Sequence, residues 1–247
     1  MDLGIAGRRA IVAAGTAGLG LATAQALADE GALVAVCGRN PDRLDAAVAA
    51  LGADAVGIVA DLSDPHGAVE FAEQAEDRLG GTIDIVVANA GGPPPGLPTS
   101  TALDDYRSAL ELNTLSTIAL VHAVVPAMRA QRWGRVLAIT SIGARQPIPN
   151  LAASSAARAA TTSFIKTLSI EVGRDNVTAN TIQPGLHATD RVRQLHAGAD
   201  QTASIPLGRI GDPADFGSIA AFLCSEPANF ITGAAIIVDG GASGGLQ

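Results

Sequence analysis

The run AAGTAGLG, residues 13–20, follows an apolar stretch and leads straight into an Ala/Leu-rich segment. Gly18, Leu19 and Gly20 therefore stand where a strand turns into a helix. A turn of that kind aims backbone N–H groups and the positive end of a helix dipole at one spot, which suits a pyrophosphate. Glycine favours any tight turn, so the pattern is weak alone and gains its weight from following the first strand candidate. At the end of the second strand candidate stands CGRN, residues 37–40. A carboxylate there would bind an unmodified ribose, whereas Arg39 can pair with a 2′-phosphate unless it is simply a solvated loop arginine. NADP(H) is the preferred dinucleotide on this reading, with NAD(H) as the alternative.

Proton transfer is harder to place. NLAASSAARAA, residues 150–160, offers Ser154 and Arg158. A serine hydroxyl is far too weak an acid to protonate a substrate near neutral pH, and an arginine keeps its proton. Arg158 can donate hydrogen bonds or steady an oxyanion by its charge. The plainer account is an Ala-rich packing helix with Arg158 solvated and Ser154 a bystander. Histidine titrates in the useful range. His187 sits in a loop, PGLHATD; His66 is on a polar loop, His122 is mid-helix and His196 lies in a polar segment. His187 is either a proton donor or a loop residue that lines the pocket.

These residues need a scaffold. Seven short runs read as strands: RAIVAA (9–14), ALVAVC (32–37), AVGIVA (55–60), DIVVANA (84–90), RVLAIT (135–140), VTANTI (177–182) and AAIIVDG (234–240). They are almost continuously apolar, as strands covered on both faces must be. Amphipathic segments such as 18–30 and 41–51 lie between them. Pro41 after Asn40, Pro65 after Asp64 and Pro213 after Asp212 are helix-start signals. The alternation predicts an α/β fold, a doubly wound, seven-stranded, mostly parallel sheet with helices on both faces. No linker or repeat divides residues 1–247, which read as one domain.

Composition narrows the function. Of 247 residues, 48% are hydrophobic, enough for a large core. A net charge of −8, with Lys166 the single lysine, argues against a nucleic-acid partner. The N-terminal run MDLGIAGRRA lacks the apolar core of a signal peptide, and no uninterrupted apolar run approaches a membrane span, so a cytoplasmic protein is expected. Cys37 and Cys224 are too few for a disulfide framework or a zinc site and read as buried thiols; no metal is expected.

Taken together, the motifs resemble those of the short-chain dehydrogenase/reductases, from about residue 5 to 241, and in particular the branch related to 3-oxoacyl-carrier-protein reductases. Ala13 to Gly20 is similar to that family's Thr-Gly-x-x-x-Gly-x-Gly turn, with Ala13 and Ala14 in place of the threonine and first glycine. Asp61 in ADLSD, ANAG at 88–91, Asn113 in ELNTLS, Ser141 in ITSIGA and QPGLHATD at 183–190 match further motifs. The resemblance implies a Rossmann fold. It assigns dinucleotide binding to Gly15, Thr16, Gly18, Leu19 and Gly20, to Arg39, Asn40, Asp61 and Leu62, to Asn89, Ala90 and Gly91, and to Arg158, Pro184, Gly185 and Thr189.

The resemblance also places a Tyr-x-x-x-Lys pair at positions 154 and 158, where this chain has Ser154 and Arg158. The single tyrosine, Tyr106, precedes Asn113, where relatives carry a core aromatic; Lys166 lies on another helical face. The catalytic set implied is Ser141, Asn113, Ser154, Arg158 and His187, with water or His187 as proton source. An NADP(H)-linked oxidoreductase acting on a carbonyl or alcohol is the leading expectation. A redox-inactive nucleotide binder and a non-redox lyase or isomerase are the alternatives. The polar segment at about 187–208 reads as a substrate lid, its Arg191 and Arg193 either solvated or facing an acidic group. GGPPPGLP, 91–98, reads as a stiff pocket wall. Helices near 103–130 and 150–172 are apolar on more than one face; relatives associate through them, so a homotetramer or homodimer is expected.

Overall fold

The computed structural model describes residues 1–195 and 202–245. Seven strands form one sheet: β1 (Arg9–Val12), β2 (Leu33–Gly38), β3 (Val56–Val59), β4 (Ile85–Ala88), β5 (Gly134–Ile139), β6 (Val177–Pro184) and β7 (Ala235–Val238). Their order is β3-β2-β1-β4-β5-β6-β7, and every pairing is parallel, so the expected "mostly parallel" sheet is parallel throughout. The order reverses between β1 and β4, which opens a crevice at the carboxyl ends of those strands, where an open α/β sheet binds ligands.

Among the described residues, eight α-helices connect the strands: α1 (Gly18–Asp29), α2 (Pro41–Leu51), α3 (Pro65–Leu79), α4 (Leu103–Leu110), α5 (Ser116–Gln131), α6 (Ala152–Val172), α7 (Asp190–Leu195) and α8 (Pro213–Leu223). Asn40, Asp64 and Asp212 cap α2, α3 and α8, each side chain accepting a backbone N–H at 2.9 Å, with proline in the first turn. Ala17, ahead of α1, provides no such cap. One core face packs Phe71, Leu120, Met128 and Ile165 against the sheet; the other packs Leu27, Trp133 and Phe216.

Two features depart from the expected elements. Helices α4 and α5 are joined by a π-helical turn, Glu111–Leu115, that carries Asn113. By composition the continuous stretch Leu103–Gln131 is also long and apolar enough to cross a membrane, although its apolar residues are spread among polar ones; half of its most apolar 18-residue window is buried in the fold. Leu103, Leu110 and Leu115 on this stretch, and Ile170 on α6, stay exposed. Cys37 and Cys224 are buried and free, and burial pushes both thiols up to about 12. The expected lid at 187–208 contains α7, and His196 lies outside the described residues.

Candidate active site

Two adjoining hollows run along the carboxyl ends of the strands. The first, about 490 Å³, lies between the ends of β2 and β3 and is lined by Arg39, Arg43, Asp61 and Leu62. The second, about 460 Å³, extends from the first turn of α1 to Arg158, Pro184 and Thr189. They share Ala14, Thr16 and Gly91, so one groove joins them.

The turn into α1 is shaped by contacts that forbid side chains. A Cβ on Gly20 would come within 2.6 Å of Asn89 Nδ2 and 2.7 Å of the Ala14 carbonyl oxygen. Gly18 adopts φ +56°, a left-handed conformation that glycine takes readily. Ala14 adopts φ +46° without that freedom. With Ala17 not capping and no acidic residue in the first turn, the N–H groups that open α1 face the groove without a side-chain acceptor. These residues fit a pyrophosphate.

At the far end of the first hollow, Arg39 Nη1 lies 4.0 Å from Asp61 Oδ2, both side chains being largely exposed. Asp61 accepts hydrogen bonds from Ser63 N at 3.0 Å and Ser63 Oγ at 2.8 Å, which with Arg39 hold its carboxyl below the usual range despite partial burial. Asn40 lines the hollow, but its side-chain oxygen is engaged in capping α2. Arg43, one turn into α2, lines the same hollow and went unremarked in the sequence. Its place three residues after Asn40, in the turn beside Arg39, was the available signal.

Gly15 and Gly185 serve packing. A Cβ on Gly15 would strike Val36 Cγ1 at 2.8 Å, and one on Gly185 would strike Asp239 Cβ at 2.6 Å. Gly185 thus backs onto the residue after β7, not the groove. Thr189 does face the α1 turn: its Cγ2 lies 3.5 Å from the Cβ position of Gly18.

Arg158 is not solvated. Only 9% exposed, it donates from Nη1 to the carbonyl oxygens of Ile139 and Thr140 at 3.0 and 2.7 Å, and from Nη2 to that of Ala90 at 3.3 Å. Burial, reinforced by the charge of Arg191, pulls its pKa down to about 10, so it remains a cation at neutral pH. Behind it lies a small hollow with Asn113 and Thr140, whose Oδ1 and Oγ1 are buried without partners. Asn113 Nδ2 donates to the Ala109 carbonyl at 3.0 Å.

Ser141 caps a short 3-10 turn, accepting from Gly143 N at 3.0 Å. Ser154 is buried in the first turns of α6. Its neighbour Ser155, passed over in the sequence, comes nearer the Ser141 turn. The Oγ atoms of Ser155 and Ser141 lie 3.2 and 3.3 Å from where a Cβ on Gly143 would stand, and Ser155 Oγ is buried without a partner. Nothing in the local sequence separates the two serines, because only the helix's seating decides which one faces the turn.

His187 is placed elsewhere. Its ring is 4% exposed, packs edge-on against Phe216 with centroids 5.1 Å apart, and borders a separate cavity with Leu207 and Asp212. Nδ1 lies 3.3 Å from the Gly185 carbonyl, and burial lowers the ring's pKa. The expectation of His187 beside the groove fails because the loop is pinned by a bridge between His187 and Gly211, which turns the ring toward α8. Tyr106 packs against Ala109, Ala153 and Ala157, and its hydroxyl donates to the Pro98 carbonyl at 3.5 Å.

A doubly wound sheet with this groove defines a dinucleotide-binding α/β domain. Residues 13–243 match the family model described as enoyl-(acyl carrier protein) reductase. The chain is 33% identical to dehydrogenase/reductase SDR family member 4 of Sus scrofa, covering 96% of this chain and 88% of the relative. Its structure resembles L-sorbose reductase of Gluconobacter frateurii in complex with NADPH and L-sorbose, at a TM-score of 0.94, 31% identity and full coverage of both chains. It also resembles a 7α-hydroxysteroid dehydrogenase with NADH and 7-oxoglycochenodeoxycholic acid, at a TM-score of 0.92 and 30% identity over 100% of this chain and 98% of that one. The chain belongs to the short-chain dehydrogenase/reductase family.

Proposed function

We propose that the protein is an NADP(H)-linked oxidoreductase of a carbonyl or alcohol substrate, working without a tyrosine–lysine pair. The observation that carries this reading is the unbroken groove from Arg39 and Arg43, past the bare start of α1, to Arg158. Two arginines at the adenosine end suit a 2′-phosphate by charge. They are what favours NADP(H), since relatives are found with either dinucleotide.

A bound nicotinamide would supply or accept the hydride. Pro184, Thr189, Asn89 to Gly91 and Arg158 line the hollow that would receive the ring. In reduction, negative charge develops on the substrate oxygen. Arg158 is suited to steady it, because Nε–H and one Nη2–H have no protein partner among the described residues. Its guanidinium does not release a proton near neutral pH, and the ring of His187 is turned away. Water near Ser141, Ser155 and Asn113 is therefore the proton source in this reading.

Following nicotinamide absorbance across a panel of ketones, aldehydes and oxo acids tests the proposal. Oxidation of NADPH by one of them is the expected result. Binding of NADPH with no turnover across the panel would contradict redox catalysis.

A further inference from the structure

Arg158 presents an unmet electrostatic requirement. Among the described residues no carboxylate lies within ion-pairing distance of its guanidinium, which is largely buried and held only by neutral carbonyl oxygens. A buried cation normally has a counter-charge, since leaving water without one is costly. Another cation, Arg191, lines the same hollow and adds repulsion.

Arg191 itself is not a free lid arginine. From α7 it reaches back to the groove and donates from Nη2 to the Pro93 carbonyl at 2.8 Å. Its Nη2 and Nε lie 3.3 and 3.4 Å from the Cβ position of Gly92, so that glycine's lack of a side chain admits the guanidinium. Its neighbour Arg193 behaves differently, pairing with Asp190 at 3.0 Å on the exposed side of the helix. Asp190 is the single acidic residue lining this half of the groove, and that ion pair draws its charge outward. The Pro93 carbonyl that Arg191 reaches belongs to the proline-rich loop that follows Gly91.

We propose that Arg158 and Arg191 form an anion subsite in the hollow that both line, and that the substrate is an oxo acid or hydroxy acid whose carboxylate this pair receives. Arg191 would exchange its bond to the Pro93 carbonyl for the carboxylate, which draws α7 onto the ligand. The inference rests on the oxidoreductase reading for its carbonyl chemistry, whereas the anion subsite itself does not. The same charge pair would also attract a phosphate of the dinucleotide, so the two sources must be separated.

Calorimetric titration does so. The protein saturated with NADP⁺ is titrated with acetoacetate and with methyl acetoacetate, which keeps the ketone and lacks the charge. The expected result is at least about tenfold tighter binding of the acid, as one charge-assisted hydrogen bond contributes, with that preference lost in Arg191→Gln. Equal affinity for acid and ester overturns the proposal. So does an Arg191→Gln protein that binds the acid undiminished, or one that loses NADP⁺ affinity while keeping the acid preference, which would assign the pair to the cofactor. Arg158→Met would strip three carbonyls of their partner at the ends of β4 and β5, so Arg158→Lys, which keeps the charge, is the companion variant and should retain the acid preference in part. Should NADP⁺ fail to bind, the oxidoreductase reading falls, and titration of the bare protein with acetoacetate still decides the anion subsite.

Discussion

Asn89 Nδ2 donates to the carbonyl oxygen of Ala14 at 3.2 Å, fastening the end of β4 to a residue held at φ +46°. That bond fixes the carbonyl where the groove's two hollows meet, and it keeps an alanine in backbone space that costs L-residues about 1–2 kcal/mol. Strain at this point marks a conformation the surroundings impose.

Replacing Ala14 with glycine removes the strain and keeps the carbonyl. The expected gain is about 0.5–1 kcal/mol after allowing for the greater freedom of an unfolded glycine, or a thermal midpoint higher by roughly 1–4 °C for a chain of this size. Calorimetric melting of Ala14→Gly against the parent checks it, and an unchanged or lowered midpoint contradicts the assigned strain.

In the proposed adenosine hollow, Arg39 should decide the choice between dinucleotides. Arg39→Asp should weaken NADPH binding about tenfold or more, because a charge-assisted contact is lost and a repulsive carboxylate takes its place. NADH binding should change little or improve. Arg43 lines the same hollow and keeps part of the attraction, so Arg39→Asp combined with Arg43→Ala should lose more than either alone. Competition titrations with both dinucleotides separate these outcomes.

Burial lowers the pKa of His187, so the folded chain favours the neutral ring. The unfolded chain takes up a proton below the ordinary histidine value of about 6.5. The stability contributed is therefore complete above that value and lost as pH falls through it toward the lower folded pKa. His187→Leu should flatten the fall in melting temperature between about pH 7.5 and 5.5 relative to the parent. An unaltered slope would place the proton uptake elsewhere.

The paired substitution Ser154→Tyr with Arg158→Lys asks whether an acid is all that the site lacks. A positioned general acid typically contributes 10²–10⁴-fold, so ketone reduction by the double variant should rise by about that factor over the parent. Arg158 is woven into the ends of β4 and β5, and the lysine must replace three hydrogen bonds with fewer. The variant's melting temperature should accordingly be measured alongside its turnover, and a folded variant with no gain contradicts the assignment.

The seven strands were legible because strands covered on both faces must be apolar throughout, and each run in the sequence became one strand of the sheet. The capped starts of α2, α3 and α8 were legible for an equally local reason, an Asx residue followed by proline. What escaped depends on distant packing. Arg135, inside an otherwise apolar strand, is fully buried because Trp133 lies under its guanidinium at 4.3 Å and Glu226 faces it at 3.4 Å. In its alanine-rich helix Arg158 read equally as a solvated residue or a site residue, and the carbonyls that decide it come from residues 90, 139 and 140. His187 looked well placed in its loop until the bridge to Gly211 set the ring's direction. The π-helical turn around Asn113 leaves no mark in the hydrophobic pattern.

The central claim is that the groove from Arg39 to Arg158 holds a nicotinamide dinucleotide. Isothermal titration of the purified protein with NADPH and NADH tests it most directly. Saturable binding of one molecule per chain, tighter for NADPH, is the predicted result; no measurable binding of either dinucleotide would contradict it.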